Sequence, residues 1–382
     1  MAGGDLSRSG QATVLVVADA RPEQLLRAVR AAGVRTVDLL VVRRPSRTTE
    51  KALASLAERV PTRVRAVPDT VPTDSRSTSE PSPCTSTRVS EPSRLPSTAV
   101  SFGGVELRVG DRAYDVTTRA LVMGIVNRTP DSFFDQGRYF DMDASLKLAE
   151  QLVNDGADII DVGGVKAGPG PEVGAEEELE RVIPAIEALH ARIDVPLSVD
   201  TWRAEVARQA YAAGAVVGND ISGFGDPDYL AVSAEAGATV VATHIRLKPR
   251  VRDPEPEYPN GDVVTAVCDF LVGRAKQAEH AGIAPARIVL DAGLDLGKTW
   301  EQSLELLRAS DRLADLGYPL LLSASNKTFL GRFLELEIDE RNEASLGATA
   351  IGVTLGCRIV RAHDVRGTRR VCDVLAAVME AA

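Results

Sequence analysis

Aromatic side chains are scarce in this 382-residue chain: they fill 4% of positions, while 44% are hydrophobic. The core must therefore be built from Ala, Val, Leu and Ile, which suits parallel strands buried on both faces. Paired cysteines are missing as well. Cys84, Cys268, Cys357 and Cys372 form no CxxC, so neither a disulfide framework nor a zinc site of the usual spacing is encoded. A reduced, cytoplasmic protein is expected. No run approaches the roughly 18 apolar residues of a membrane span, and the opening MAGGDLSRSGQ has no apolar signal core. Basic residues are the minority, with 44 Lys and Arg against 54 Asp and Glu and a net charge of −10. An acidic chain is poorly suited to tracking a phosphate backbone, which argues against nucleic acid as a partner.

What is there falls into three stretches. Residues 13–67 read strand, helix, strand, helix, strand, with TVLVVAD and VDLLVVR as apolar runs and PEQLLRAVRAAG at helical spacing. A small α/β accessory segment over 1–67 is expected; it has no Gly-rich fingerprint and no cluster of His, Cys or acids. Residues 68–100 are dominated by Ser, Thr and Pro. Such a segment cannot bury enough apolar area to offset its ordering entropy, so a disordered linker is expected there. From residue 101 the pattern turns regular. FGGVELRVGDRAYDV alternates around Gly-Asp and reads as a hairpin. Eight apolar runs follow, at 121–127, 157–164, 196–201, 215–220, 239–245, 287–293, 319–325 and 358–364. Each is trailed by a helical stretch, often stopped by Gly. Strands alternating with helices imply a parallel sheet. A doubly wound open sheet is one solution; eight units in about 260 residues match a closed (β/α)8 TIM barrel over 101–382.

The ends of these runs carry the chemistry. They bring Asn127, Asp161, Asp200, Asn219, His244, Asp291, Ser325, Lys327, Arg361 and His363, whereas their beginnings are apolar. A barrel gathers strand ends on one face, where such enzymes keep their catalytic groups. Asp200, Asn219 and Asp291 suit a planar ring rich in N–H donors. Lys327, Arg361 and His363 supply positive charge or donors for an anion such as diphosphate. Asn127 is a hard oxygen donor able to share Mg²⁺ with that anion. No Ser-His-Asp spacing or thiol nucleophile stands out. The face suits a nitrogen heterocycle bearing a phosphate-type leaving group.

MGIVNRTPDSFFDQGRYFD, GADIIDVGG, SVDT, GNDISG, LDAGLDLGK, SNKTFLG and RAHDV occur in this order, and together they resemble the dihydropteroate synthase family over roughly residues 105–380. The resemblance implies a (β/α)8 barrel, usually a homodimer. It implies condensation of 6-hydroxymethyl-7,8-dihydropterin diphosphate with p-aminobenzoate, as in folate synthesis. It assigns pterin contacts to Asp200, Asn219, Asp291 and Lys327, and diphosphate and Mg²⁺ contacts to Asn127, Arg361 and His363. The implied mechanism is dissociative: diphosphate leaves, and the arylamine nitrogen attacks the pterin methylene that remains. The segments after strands one and two would close over the site and complete the arylamine pocket. Methyltetrahydrofolate methyltransferases share a pterin barrel but need no diphosphate site, which Arg361, His363 and Lys327 would supply.

The sequence departs from the family in those closing segments. After the second strand the family's GGESTRPG is Gly163-Gly164-Val165-Lys166-Ala167-Gly168-Pro169-Gly170, so its Thr and Arg fall on Ala167 and Gly168. Asn326 stands for an Arg after strand seven. Ala292 and Leu296 replace a Pro and an aromatic after strand six, and Arg128 replaces a small apolar residue after strand one. The residues assigned to the pterin are kept and those around the acceptor are altered. A divergent member is expected, with p-aminobenzoate or another amine as acceptor, or with little turnover. The basic cluster Arg366, Arg369 and Arg370 reads as a solvated helix face.

Overall fold

The computed structural model describes residues 11–16, 36–41, 62–66, 106–128, 142–168, 170, 172–251 and 253–381. The chain divides into two compact units, residues 1–97 and 98–382. In the first, β1 (Gln11–Val16), β2 (Thr36–Val41) and β3 (Thr62–Ala66) form a parallel sheet in that order. The helices expected between them, and the linker expected at 68–100, lie outside the described residues.

The second unit opens with an antiparallel hairpin, β4 (Glu106–Val109) and β5 (Arg112–Asp115). Eight strands then close into a parallel barrel: β6 (Leu121–Asn127), β7 (Ile159–Gly163), β8 (Leu197–Asp200), β9 (Ala215–Asp220), β10 (Thr239–Thr243), β11 (Ile288–Asp291), β12 (Leu320–Leu322) and β13 (Cys357–Ala362). β13 pairs with β6 to complete the ring, which settles the barrel over the open sheet. Seven of the strands lie inside the apolar runs, and β13 begins one residue before the eighth. The helices are α1 (Met142–Asn154), α2 (Ala175–His190), α3 (Ala204–Ala212), α4 (Tyr229–Glu235), α5 (Val263–His280), α6 (Trp300–Arg308), α7 (Ser310–Ala314), α8 (Thr328–Leu334), α9 (Asn342–Thr354) and α10 (Val365–Glu380).

Strand periodicity sorts side chains into the barrel lumen and the helix-facing shell. Met123, Ile159, Val217, Val241, Val289, Leu321 and Ile359 meet in the lumen, where Leu107 and Val109 of the hairpin join them. The hairpin thus plugs the beginning of the barrel with its buried alternate residues. Moving two residues along each strand keeps the same inward direction and changes the chemistry. Ile159 is followed by Asp161, Val217 by Asn219, Val241 by Thr243, Val289 by Asp291, and Ile359 by Arg361. The barrel is therefore dry at one end and polar at the other, and the switch is written in the strands themselves.

Outside the barrel, shells of Ala, Val, Leu and Ile seat the helices against the strands. Gly218 shows how tight that seating is. It faces outward on β9, and a Cβ there would stand 2.2 Å from the Tyr211 hydroxyl of α3 and 2.6 Å from that of Tyr229 on α4. Tyr211 is in turn hydrogen-bonded to Ser233 at 2.9 Å. Gly218→Ala is expected to force both helices off β9 and to lower unfolding free energy by about 1–3 kcal/mol, the usual cost of overpacking. Urea denaturation checks this; an unchanged midpoint would show that the helices are not seated as described.

Candidate active site

Arg361 sits at the centre of the polar end. β13 carries it inward, and its Nε donates to Asp161 Oδ2 at 2.7 Å while Nη2 donates to Asp200 Oδ2 at 2.9 Å. Asp161 comes from β7 and Asp200 from the end of β8, so one guanidinium ties three strands together. Asn219, next along on β9, donates through Nδ2 to the same Asp161 Oδ2 at 3.1 Å. Asp161 is fully buried, and its other carboxylate oxygen has no partner among the described residues. It acts beneath the site as the anion that orients Arg361 and Asn219.

The opposite side is built by β11 and the loop after β12. Asp291 accepts from the Gly293 backbone N–H at 2.8 Å. Gly293 has φ 64, and a Cβ there would lie 2.0 Å from the His244 carbonyl oxygen, so only glycine permits this turn. Lys327 donates to the Leu294 carbonyl at 2.7 Å. Ser325 Oγ lies 2.9 Å from His363 Nδ1 and accepts from the His363 backbone N–H at 3.1 Å.

Burial dominates the electrostatics. It pushes the Asp200 carboxyl up to about 7, with Asp161 adding to the shift and Arg361 opposing it. It raises Asp291 too, against the pull of Lys327. Lys327 is lowered by burial, with Asp291 and Asp295 opposing. His363 is pushed down to about 3 by burial and by Arg361, so its imidazole is neutral and offers a hydrogen bond rather than charge. For Arg361, burial acts to lower the value, and Asp161 and Asp200 together outweigh it.

One cavity of about 880 Å³ opens over these groups. Asn127, Asp200, Asn219, Asp291, Lys327, Arg361 and His363 all line it. These are the residues singled out in the sequence. His244 lies behind the cavity wall, buried edge-on against Phe270 with ring centroids 4.8 Å apart.

Lys298 belongs to the site region without having been singled out. It lines the cavity, and its Nζ meets His244 Nδ1 at 2.9 Å and the carbonyls of Gly293 at 2.8 Å, Leu296 at 3.0 Å and His244 at 3.3 Å. Burial, helped by Lys327, lowers it to about 7. Its signal was present in LDAGLDLGK, but a lysine seven residues past a strand end reads as an exposed loop charge.

The altered positions divide. Lys166, Ala167, Gly168, Leu296 and Asn326 line the cavity. Arg128 does not. It is buried, and its guanidinium donates to Ser145 Oγ at 3.1 Å and to the Arg181 carbonyl at 3.3 Å, so it braces the strand rather than adding charge to the first loop. Arg369 likewise departs from the solvated face expected of it. It is buried against Asp158, Asp373 and the Ala120 carbonyl, while Arg366 and Arg370 are exposed. The TPDSF segment falls at 129–133, outside the described residues.

Among the described residues no group of three or more His, Cys, Asp or Glu could hold a metal. Asn127 presents a single amide at the cavity wall. That donor set fits Mg²⁺ only when phosphate oxygens and water complete the shell, which is how this ion is commonly held.

Comparison with known proteins agrees with this geometry. The model of the pterin binding enzyme family matches residues 123–363. The dihydropteroate synthase of Synechocystis is 42% identical over 271 residues, spanning 70% of this chain and 93% of that protein. The inactive dihydropteroate synthase 2 of Mycobacterium tuberculosis is 44% identical over 264 residues, spanning 68% of this chain and 83% of that protein. The crystal structure of Yersinia pestis dihydropteroate synthase in a sulfonamide drug complex superposes with a TM-score of 0.69 at 35% identity, covering 72% of this chain and all of that one. With a barrel of that shape, and a cavity that gathers the strand-end carboxylates, amide and cations, this chain belongs to the pterin-binding enzymes as a divergent member of the dihydropteroate synthase family.

Proposed function

We propose that the chain condenses 6-hydroxymethyl-7,8-dihydropterin diphosphate with p-aminobenzoate, giving 7,8-dihydropteroate and diphosphate in folate biosynthesis. The observation that carries the proposal is the meeting of Asp200, Asn219, Asp291 and Lys327 with Arg361, His363 and Asn127 around one cavity. Its volume lies within the range of small-molecule sites. Asp200, Asn219 and Asp291 would pair with the N–H edge of the pterin and fix its methylene in the cavity. Lys327 would bridge ring and carboxylates. Arg361, already oriented by Asp161, would present its remaining N–H groups to the diphosphate. Neutral His363 would donate a hydrogen bond there.

In the reaction the methylene C–O bond breaks and diphosphate keeps the electron pair. The amine nitrogen then forms the C–N bond and gives up a proton. No nucleophilic side chain is needed; positioning and charge stabilisation supply the rate. Mg²⁺, held by Asn127 and the diphosphate oxygens, would neutralise the leaving group. The same reading extends to a homodimer in the cytoplasm and rests there on family membership alone.

A second reading keeps the pterin diphosphate and changes the acceptor, or retains little turnover. Ala167 and Gly168 favour it, because these two positions of the cavity wall bear no hydrogen-bonding side chain. The likeness to an inactive synthase 2 points the same way.

Diphosphate release from the pterin substrate separates the readings. Release that depends on p-aminobenzoate is the expected result. Release only with another amine would replace the acceptor, and none with any amine would leave a binding protein.

The raised carboxyl of Asp200 sets a pH dependence. A pterin edge of N–H donors pairs best with the ionised form, so pterin affinity is expected to rise as pH passes through about 7. For folding the sign is opposite. A carboxyl raised above its unfolded value contributes stability at low pH, and that contribution is lost as pH climbs through about 7. Asp200→Asn should flatten the binding profile, and Asp200→Ala should weaken pterin binding by roughly 1–3 kcal/mol. Fluorescence titration with a pterin between acid and alkaline pH reads both; equal affinity in wild type and Asp200→Ala would remove Asp200 from the site.

A further inference from the structure

The chain leaves β11 through a turn that winds left-handed three times. Gly293, Asp295 and Gly297 have φ of 64, 68 and 63. Asp295 carries a Cβ and takes that conformation at a cost. The path turns the carbonyls of Gly293 and Leu296 toward one point, where the His244 carbonyl and His244 Nδ1 arrive from the end of β10. These acceptors would repel one another without a donor between them. Lys298 Nζ stands at that point, in hydrogen-bond reach of all of them. A neutral amine would turn a lone pair on one of them, so the arrangement favours the charged form against the burial that lowers it to about 7. Lys298 is fixed at its own end as well. It is buried and precedes Thr299, which caps α6 by accepting from the Gln302 backbone N–H at 3.2 Å.

The same turn carries two of the groups assigned to the ring. It begins at Asp291, whose carboxylate accepts from the Gly293 backbone N–H at 2.8 Å. Its Leu294 carbonyl accepts from Lys327 at 2.7 Å. Its Asp295 carboxylate accepts from the Phe329 backbone N–H at 3.1 Å, which ties down the start of α8 beside Lys327. We infer that Lys298 is a positioning residue for the ring: its ammonium gathers the turn and the His244 imidazole, and so holds Asp291 and Lys327 where they would meet the pterin. The inference rests on the pterin reading above. Lys298 acts through its neighbours, because its hydrogens are taken by the turn and by His244.

The test is fluorescence titration of the full chain with 6-hydroxymethylpterin at neutral pH. Lys298→Met, of similar length but without charge, should weaken pterin binding by about tenfold or more, the value of a charge-assisted hydrogen bond. Lys298→Ala should do the same. Propylammonium, which replaces the missing carbons and the charge, should restore affinity to Lys298→Ala, and 1-propanol at equal concentration should not. Action through Asp291 makes the losses overlap, so Lys298→Met added to Asp291→Asn should weaken binding little beyond Asp291→Asn alone. Normal affinity in Lys298→Met overturns the inference. So does a failure of propylammonium to rescue, or a rescue by propanol as well. Losses that simply add would mark a general loosening of the barrel and overturn it too. If neither Lys298 variant folds, His244→Leu decides, since it removes one acceptor and leaves the ammonium. It should weaken pterin binding severalfold, and unchanged affinity would overturn the inference. Failure of the wild-type chain to bind the pterin would instead sink the reading of the whole cavity, and this inference with it.

Discussion

A guanidinium held inside a protein must be neutralised, and Arg361 is neutralised by two carboxylates that reach it from β7 and β8. Taking such ions from water costs several kcal/mol each unless geometry and further hydrogen bonds return it. Here Asp161 also accepts from Asn219, which binds a fourth strand into the same unit. The order β13, β6, β7, β8, β9 around the ring places all four residues of this network, two donors and two carboxylates, within one arc. Barrel closure and site assembly are therefore one event: the sheet cannot open along this arc without stranding a buried charge.

The lumen explains why the network sits where it does. Below it the inward residues are Met, Ile, Val and Leu, packed against Leu107 and Val109 of the hairpin. That plug excludes water from beneath Asp161 and raises the cost of ionising Asp200 and Asp291. The carboxylates stay poised for donors arriving from above. A flat ring with several N–H groups can satisfy them together, whereas a few scattered waters would do so poorly. His363 responds to the same dryness in the opposite sense and stays neutral.

Much of this was legible in the sequence because strands have a strict two-residue period. A run such as VMGIVN states which residues face inward, and its last inward residue, Asn127, falls at the mouth. The pairs Asp161 with Arg361 and Asp200 with Arg361 were not legible, since partners 200 and 161 positions apart carry no local signal. Charge hid more. Arg369 reads as an exposed charge because charge usually means solvent, yet Asp158 and the Ala120 carbonyl take it inward. Lys298 was hidden in the same way: its four acceptors are brought together by the Gly293 turn and the neighbouring His244. The termini of the barrel elements obey periodicity; the direction of a side chain beyond them depends on packing that only the folded chain reveals.

The difference between floor and mouth follows from the same energetics. On the floor, Arg361, Asp161, Asp200 and Asn219 share partners with one another, so removing one leaves a buried charge or donor uncompensated, a loss of about 3–5 kcal/mol for a broken buried pair. At the mouth, Ala167, Gly170 and their neighbours are exposed or half-exposed, and a side chain there can change at little cost to folding. The departures that line the cavity sit in that tolerant zone, at Ala167, Gly168, Leu296 and Asn326, whereas Arg128 and Ala292 are buried away from it, and Asp200, Asn219 and Arg361 stand in the locked one. On the proposed reading, the residues assigned to the ring are bound up with the stability of the barrel, and those assigned to the acceptor are not. A chain of this kind can exchange one amine for another, or lose turnover, without ceasing to fold around a pterin.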